Sequence, residues 1–206
     1  MTPQRLFEPG APPWCCTEEA AENILTVYRQ AHALEVKFGT CWYWNANRMA
    51  HRLALIGRVS VPAVCHVIAA LSPNSRWEDN MRDAEMAVLG KRGPYRCYKA
   101  NLKKAKAIIA ADRKSEPFKQ ILKGPKVSAF AHNIQHPRTA GIVTIDAHAY
   151  SVAHLWRFTT HGMVRLTEQR YSEMVAAYVA AAATVGLKPH QLQAITWVTW
   201  KRKHSI

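Results

Sequence analysis

Acidic residues are scarce in this chain of 206 residues. Only 14 Asp and Glu stand against 28 Lys and Arg, which gives a net charge of +14. A positive excess of this size predicts a polyanionic partner, because each phosphate that a protein neutralises releases bound counterions. The alternative is a basic protein without a role in nucleic-acid binding. Apolar residues make up 49% of the chain, which excludes a disordered sequence and allows one domain or two small ones.

Cysteine motifs and long apolar runs are also missing. The five cysteines are irregularly spaced and form no C-x2-C pair, so we expect neither a disulfide framework nor a structural zinc site. No run approaches the ~20 apolar residues of a membrane span. The start, MTPQRLFEPGAPPWCC, has no apolar signal core before its prolines. We therefore expect a cytoplasmic protein that makes no contact with a membrane.

Capping residues, prolines and glycines divide the chain into helices. Residues 1–16 contain four prolines and are predicted to form an irregular arm. Apolar spacing predicts helices over 17–34, 42–55, 60–71, 77–89, 98–110, 146–158, 167–185 and from Pro189 onward, with a frayed basic end at Lys201-Arg202-Lys203-His204. No two apolar runs alternate as a hairpin of strands would. The predicted fold class is all-α.

Two charged residues in the stretch 121–153 are candidates for chemistry. Lys126 follows a glycine turn at the start of a predicted helix. Asp146 follows the apolar run Ile142-Val143-Thr144-Ile145 and precedes a second apolar helix. An amine and a carboxylate on neighbouring helix starts can serve as nucleophile and charge stabiliser in one cleft. The alternatives are a solvated lysine that contacts phosphate and an aspartate that only caps its helix.

The motifs around these two residues resemble the helix-hairpin-helix DNA glycosylase superfamily, HhH-GPD. The family's G-x-K-[TV] hairpin is matched by Gly124-Pro125-Lys126-Val127, and its V-D-x-H segment by Ile145-Asp146-Ala147-His148. Two further segments occur upstream in the family's order, Lys104 to Ile109 and Ala69 to Trp77, so the resemblance covers about residues 60–160. It implies a two-lobed helical fold over residues 17–206, with the hairpin at about 115–133 and the catalytic segment at 142–158.

The resemblance also implies roles for individual residues. Lys126 matches the lysine that forms a Schiff base with the sugar of a flipped nucleotide, and Asp146 matches the aspartate that stabilises the sugar cation. His148 is expected to orient groups within the same turn, the alternative being a structural histidine. Asn74 matches a residue that fills the space left by the extruded base, and a turn-forming asparagine is the alternative. The expected DNA contacts are Gly124, Asn74, Arg76, Lys123, Lys104 and His148, although single basic residues are usually only solvated.

The chain departs from the family pattern at three points. Leu122 stands at the first glycine of the hairpin, and Tyr150-Ser151 stands where relatives often carry an arginine. The four-cysteine cluster of iron–sulfur members is missing, so no cofactor is expected. These differences predict a compact, divergent member of the superfamily.

The leading functional hypothesis is excision of a modified or damaged base from double-stranded DNA, with an accompanying abasic-site lyase activity. The expected protein is a monomer in the cytoplasm, or in the host cytoplasm if a bacteriophage encodes it. A second hypothesis assumes the same fold and the same DNA substrate but a different reaction, in which the base is modified instead of excised. Some bacteriophage enzymes that attach amino acids or amines to activated hydroxymethyl-pyrimidines in DNA are thought to derive from this superfamily. The third hypothesis is a DNA-binding module without catalysis.

Overall fold

Helices are the only regular structure in the part of the chain that the structure, a computed structural model, describes: residues 15–139, 141–158 and 166–205. The helices are α1 (Thr17–Tyr28), α2 (Ala33–Gly57), α3 (Val61–Leu71), α4 (Trp77–Val88), α5 (Lys99–Arg113), α6 (Pro125–Gln135), α7 (Ala147–His154), α8 (Glu168–Thr184) and α9 (Pro189–His204). A short 3-10 helix (Lys119–Ile121) lies between α5 and α6. The predicted all-α class is confirmed.

The chain divides into two compact units. Unit 1 consists of Met1–Trp42 and Thr139–Ile206, and unit 2 consists of Tyr43–Arg138. The chain passes from unit 1 to unit 2 within α2 and returns after Arg138.

Unit 1 is built around α1, which packs against α7, α8 and α9. Its largest buried side chains are Ile24, Tyr150, Met174, Tyr178 and Leu192. The Tyr178 hydroxyl donates a hydrogen bond to the carbonyl of Ala149 at 3.3 Å, which satisfies a phenol that has no contact with water. Because Ala149 lies in the first turn of α7, this bond helps to position the helix that follows Asp146.

Unit 2 is built around α3, which contacts α4, α5 and α6. All nine residues from Ala63 to Leu71 are buried, as expected for a central helix without a polar face. Ser60 caps this helix, since its Oγ accepts the N–H of Ala63 at 3.2 Å. Asp112 of α5 in turn accepts the backbone N–H of Ser60 at 2.8 Å and also hydrogen-bonds its hydroxyl. These contacts fix α5 against the start of α3.

Two predicted helix boundaries near the start of the chain are wrong. The helix predicted over 17–34 ends at Tyr28, and the next begins at Ala33 instead of near Trp42. The reason is a local cap, because the carboxylate of Glu35 accepts the N–H of His32 at 2.8 Å. Apolar spacing alone does not report such a break.

The later part of the chain shows two further differences. α7 ends at His154, four residues before the predicted end, because Leu155 adopts the left-handed conformation with φ 48°. The basic end Lys201-Arg202-Lys203-His204 belongs to α9 and is not frayed. Positive side chains in the last turn of a helix interact favourably with its dipole.

Residues 1–14 of the predicted arm and the predicted loop at Gly162 lie outside the described residues.

None of the helices described is on its own both long and apolar enough to cross a membrane. Only α2 and α3 taken together, with a bend of 113° between them, have the necessary length and composition.

Candidate nucleic-acid interface

The start of α6 is an exposed helix N-terminus without a side-chain cap. Gly124 holds the capping position with φ 111° and ψ 139°, a conformation that other residues rarely adopt. A Cβ atom at Gly124 would meet nothing within 4 Å, so backbone conformation and not space requires glycine here. The first-turn N–H groups of Lys126 and Val127 have no acceptor within the helix. Such groups, together with the helix dipole, favour a bound anion.

Three lysines occur close to this helix start. Lys119 and Lys123 are exposed and Lys126 is half-buried. Among the described residues, none of the three forms an ion pair with a carboxylate. Leu122, which precedes Lys123, is buried. The start of α6 therefore presents positive charge that no acidic side chain of the described residues pairs with.

Two histidines of unit 2, His66 and His132, lie near Lys119 but add no charge at neutral pH. Burial lowers the pKa of His66, and the positive charge of Lys119 lowers it further. Burial also lowers the pKa of His132, with smaller contributions from His136 and Lys119. Both rings are therefore neutral at pH 7, and the positive potential near α6 comes from lysine.

Asp146 caps α7. Its Oδ1 accepts the N–H of Ala149 at 2.8 Å, and the side chain is half-buried. The preceding residues Val143 to Ile145 are buried in unit 1, where the Tyr171 hydroxyl accepts the N–H of Ile145 at 3.3 Å. Within the described part of the chain, no hydrogen bond engages the second carboxylate oxygen, Oδ2. The capping role is thus observed, and one oxygen is left for another partner.

His148 lies two residues into the same helix and contacts an aromatic ring of unit 1. Its imidazole is half-buried and meets Trp197 edge-on, with ring centroids 6.5 Å apart. Lys201 places its ammonium 4.7 Å from the centroid of the same indole. This packing gives His148 the structural role that is the alternative to orienting groups at the site.

The remaining candidates lie on the surface of unit 2. Asn74 has φ 56°, so it forms the turn between α3 and α4, and its amide donates to the hydroxyl of Tyr98 at 3.2 Å. Arg76 is the exposed residue before α4, and Lys104 is exposed on α5. The turn-forming role of Asn74 is therefore observed, while its expected contact with DNA stays a prediction.

Positive charge is concentrated in unit 2. Residues 43–138 contain 18 Lys and Arg against 6 Asp and Glu, a net charge of +12. The rest of the chain contains 10 against 8, a net charge of +2. Nearly the whole excess therefore belongs to the unit that also carries the exposed start of α6.

The candidates are divided between the two units. Gly124, Lys123, Lys126, Asn74, Arg76 and Lys104 belong to unit 2, whereas Asp146 and His148 belong to unit 1. The expectation that Lys126 and Asp146 line one groove stays a prediction. No three His, Cys, Asp or Glu side chains are grouped as a metal site requires, as far as the described residues extend.

One basic cleft of unit 2 is absent from the sequence-based candidates. It lies between the loop after α4 and one face of α5, and its cations are Lys91, Arg92, Lys106 and Arg113. Two signals for it exist in the sequence. Lys106 and Arg113 are seven residues apart and so share a helix face, and Lys91-Arg92 directly precedes a Gly-Pro turn.

Comparison with known proteins assigns a family but no activity. No curated protein and no solved structure matches the chain significantly. Residues 15–204 match the sequence profile of DUF7178, described as a family of unknown function, and the chain therefore belongs to that family.

Proposed function

We propose that the protein is a DNA base-excision glycosylase with abasic-site lyase activity, built on a two-lobed HhH-GPD-like fold. The observation that carries the proposal is the net charge of +12 on unit 2, next to an uncapped helix start at Gly124. Unit 2 binds the phosphates of double-stranded DNA through Lys123, Lys104 and Arg76. The proposed chemistry rests on the resemblance of the two motifs that contain Lys126 and Asp146.

In the proposed reaction, the nitrogen lone pair of Lys126 attacks C1′ of a flipped nucleotide. The N-glycosidic bond breaks, and the departing base takes the bonding electron pair and a proton. The C1′–O4′ bond then breaks, O4′ takes the bonding electron pair and a proton, and the Lys126 nitrogen remains joined to C1′ as a protonated imine. Asp146 supports the positive charge that develops on the sugar. Its carboxylate suits this task because Oδ1 is held by the Ala149 N–H while Oδ2 has no partner among the described residues.

Borohydride trapping tests this proposal. Reduction of the imine during incubation with duplex DNA containing modified bases is expected to link the protein covalently to the DNA. The link should disappear in Lys126→Ala and persist in Lys114→Ala, which removes an exposed lysine of the same unit. Asp146→Asn is expected to reduce base release by about a hundredfold or more, the size of effect seen when one charge-stabilising group is lost.

Other outcomes identify the alternatives. Base release that depends on Asp146 but never gives a trapped adduct indicates a monofunctional glycosylase. A change in the mass of the base with an intact glycosidic bond indicates the bacteriophage-type transferase. DNA binding without any product in a panel of modified duplexes, including hydroxymethyl-pyrimidine DNA, indicates a binding module and contradicts the enzymatic proposal.

A further inference from the structure

The basic cleft of unit 2 combines positive charge with an apolar floor. It has a volume of about 610 Å³, within the range of about 300–1,000 Å³ that small-molecule sites occupy. Leu102, Ile109 and Ala110 form one side of the floor, and Ala87 of α4 contributes to the other. The lining residues of α5 recur at helical spacing and therefore form one continuous face. The floor offers contact area to a ligand body that is not itself charged.

Four cations line this floor, and no acidic residue does. Lys91 and Arg92 come from the loop after α4, whereas Lys106 and Arg113 come from α5. Lys91 is partly neutralised by Glu85 at 2.9 Å. Arg92 has no hydrogen-bond or ion-pair partner among the residues described. The cleft therefore keeps a strong positive charge on two opposite elements.

Tyr95 places an aromatic ring beside these cations. Its hydroxyl donates to the carbonyl of Lys91 at 3.1 Å, which holds the ring against the start of the loop. The ammonium of Lys106 lies 5.8 Å from the ring centroid, within the range of a cation–π contact. The ring of Tyr95 thus contacts both the loop, at Lys91, and α5, at Lys106.

The loop that carries Lys91, Arg92 and Tyr95 is held in place by hydrogen bonds to two residues of α4. Asp83 of α4 is fully buried, and its Oδ2 accepts the backbone N–H groups of Arg96 and Cys97, each at 2.8 Å. Arg82 donates to the carbonyl of Pro94 at 2.7 Å. A loop backbone fixed in this way loses little conformational entropy when a ligand binds.

We propose that this cleft binds a nucleotide, with the phosphates held by Arg92 and Lys106 and the nucleoside lying on the apolar floor beside Tyr95. Inorganic phosphate alone would leave the floor uncovered, and an uncharged nucleoside would leave the cations without a partner. The site is separate from the start of α6 and does not depend on the proposed excision chemistry. The nucleotide is either free in solution or the phosphorylated end of a DNA strand.

Calorimetric titration of the full chain tests the proposal. The probes are the 5′-mono- and triphosphates of thymidine and adenosine, thymidine, inorganic phosphate, and a short oligonucleotide with or without a 5′-phosphate. The test variant is Arg92→Ala/Lys106→Ala. The control is Arg48→Ala/Lys114→Ala, which removes the same two residue types from exposed positions of unit 2 outside the cleft. All four side chains are exposed, so both variants are expected to fold.

The proposal predicts saturable binding of at least one free nucleotide or of the 5′-phosphorylated oligonucleotide alone, and these two results distinguish the two sources. The test variant should weaken that binding about tenfold or more, the loss expected for charge-assisted hydrogen bonds, and the control should change it by less than about twofold. The proposal is overturned if no probe saturates, if inorganic phosphate binds as tightly as every nucleotide, or if both variants lose binding equally.

Discussion

The side chain of Asp146 shows how one residue serves the fold and remains available for chemistry. Oδ1 accepts the N–H of Ala149, which satisfies a first-turn donor of α7. The buried residues that precede it, Val143 to Ile145, fix the backbone that carries this carboxylate. Because asparagine caps helices about as well as aspartate, substitution can separate the capping bond from the negative charge.

Asp146→Asn and Asp146→Ala are therefore expected to differ in stability. Loss of the cap in Asp146→Ala should lower the free energy of unfolding by about 1 kcal/mol, whereas Asp146→Asn should change it by only a few tenths. Urea denaturation followed by circular dichroism measures both values. Equal losses in the two variants would mean that the charge, and not the capping hydrogen bond, supports α7. Base release should be low in both variants, since each lacks the carboxylate.

Helix α2 is joined to helix α9 within unit 1 by an ion pair and a close approach. Arg202 of α9 donates to Glu35 of α2 at 2.7 and 3.2 Å, and Thr199 donates to the same carboxylate at 3.4 Å. Gly39 lies against Ile195, where a Cβ atom would come within 2.6 Å of the backbone. The hydrogen bonds from Arg202 lower the pKa of Glu35, although burial acts in the opposite direction. The contacts bring together residues that are far apart in sequence.

The lowered pKa of Glu35 predicts a pH-dependent contribution to stability. A carboxyl whose pKa is below its usual value of 4.5 in the folded state stabilises the fold above that pH. The contribution is lost as the pH falls from 4.5 through the folded-state pKa. Glu35→Gln should thus reduce the free energy of unfolding by about 1 kcal/mol at pH 7, with Arg202 partly screened by solvent, and by less near pH 3.

Denaturation of wild type and variant between pH 3 and 7 measures this difference. Glu116→Gln, at an exposed position, is the control and should stay within about 0.5 kcal/mol of wild type at every pH. A difference between wild type and Glu35→Gln that does not shrink with acidification would contradict the assigned role of the ion pair.

The charge of the whole molecule is unevenly divided, with +12 on unit 2 and +2 on the remainder. A polyanion is expected to bind where cations outnumber acids, since its affinity depends on the number of phosphates neutralised. The proposed DNA contacts Arg76, Lys104 and Lys123 all belong to unit 2. The location of the cations, and not the total charge, is therefore what the binding experiment has to test.

The salt dependence of DNA binding provides this test. The slope of log K against log salt should become shallower by about 0.9 for each basic side chain that contacts a phosphate. Arg76→Ala/Lys104→Ala/Lys123→Ala should therefore reduce it by almost three. The control Lys37→Ala/Lys201→Ala/Lys203→Ala removes equal charge from unit 1 and should reduce it by less than one. An equal reduction of the slope in both triple variants would contradict the assignment of the DNA contacts to unit 2.

Most helices could be predicted from the chain, because their signals are local. Ser60 and Pro62 mark the start of α3, Gly186 and Pro189 separate α8 from α9, and each acts through neighbouring residues. The capping roles of Asp146 and Gly124 follow from the same short-range rules. The excess of basic residues is likewise readable without coordinates.

Features that depend on distant residues required the folded chain. The break between α1 and α2 comes with a Glu35 carboxylate that also binds Arg202, 167 residues further along. The basic cleft arises because the buried Asp83 holds the following loop beside α5. The net charge of each unit can be counted only when the structure has shown which residues belong to it. Amphipathic spacing and helix caps depend on residues that are close together in the sequence, so the sequence alone determines them. Cavities and ion pairs depend on which helices pack together, and no local sequence pattern determines that packing.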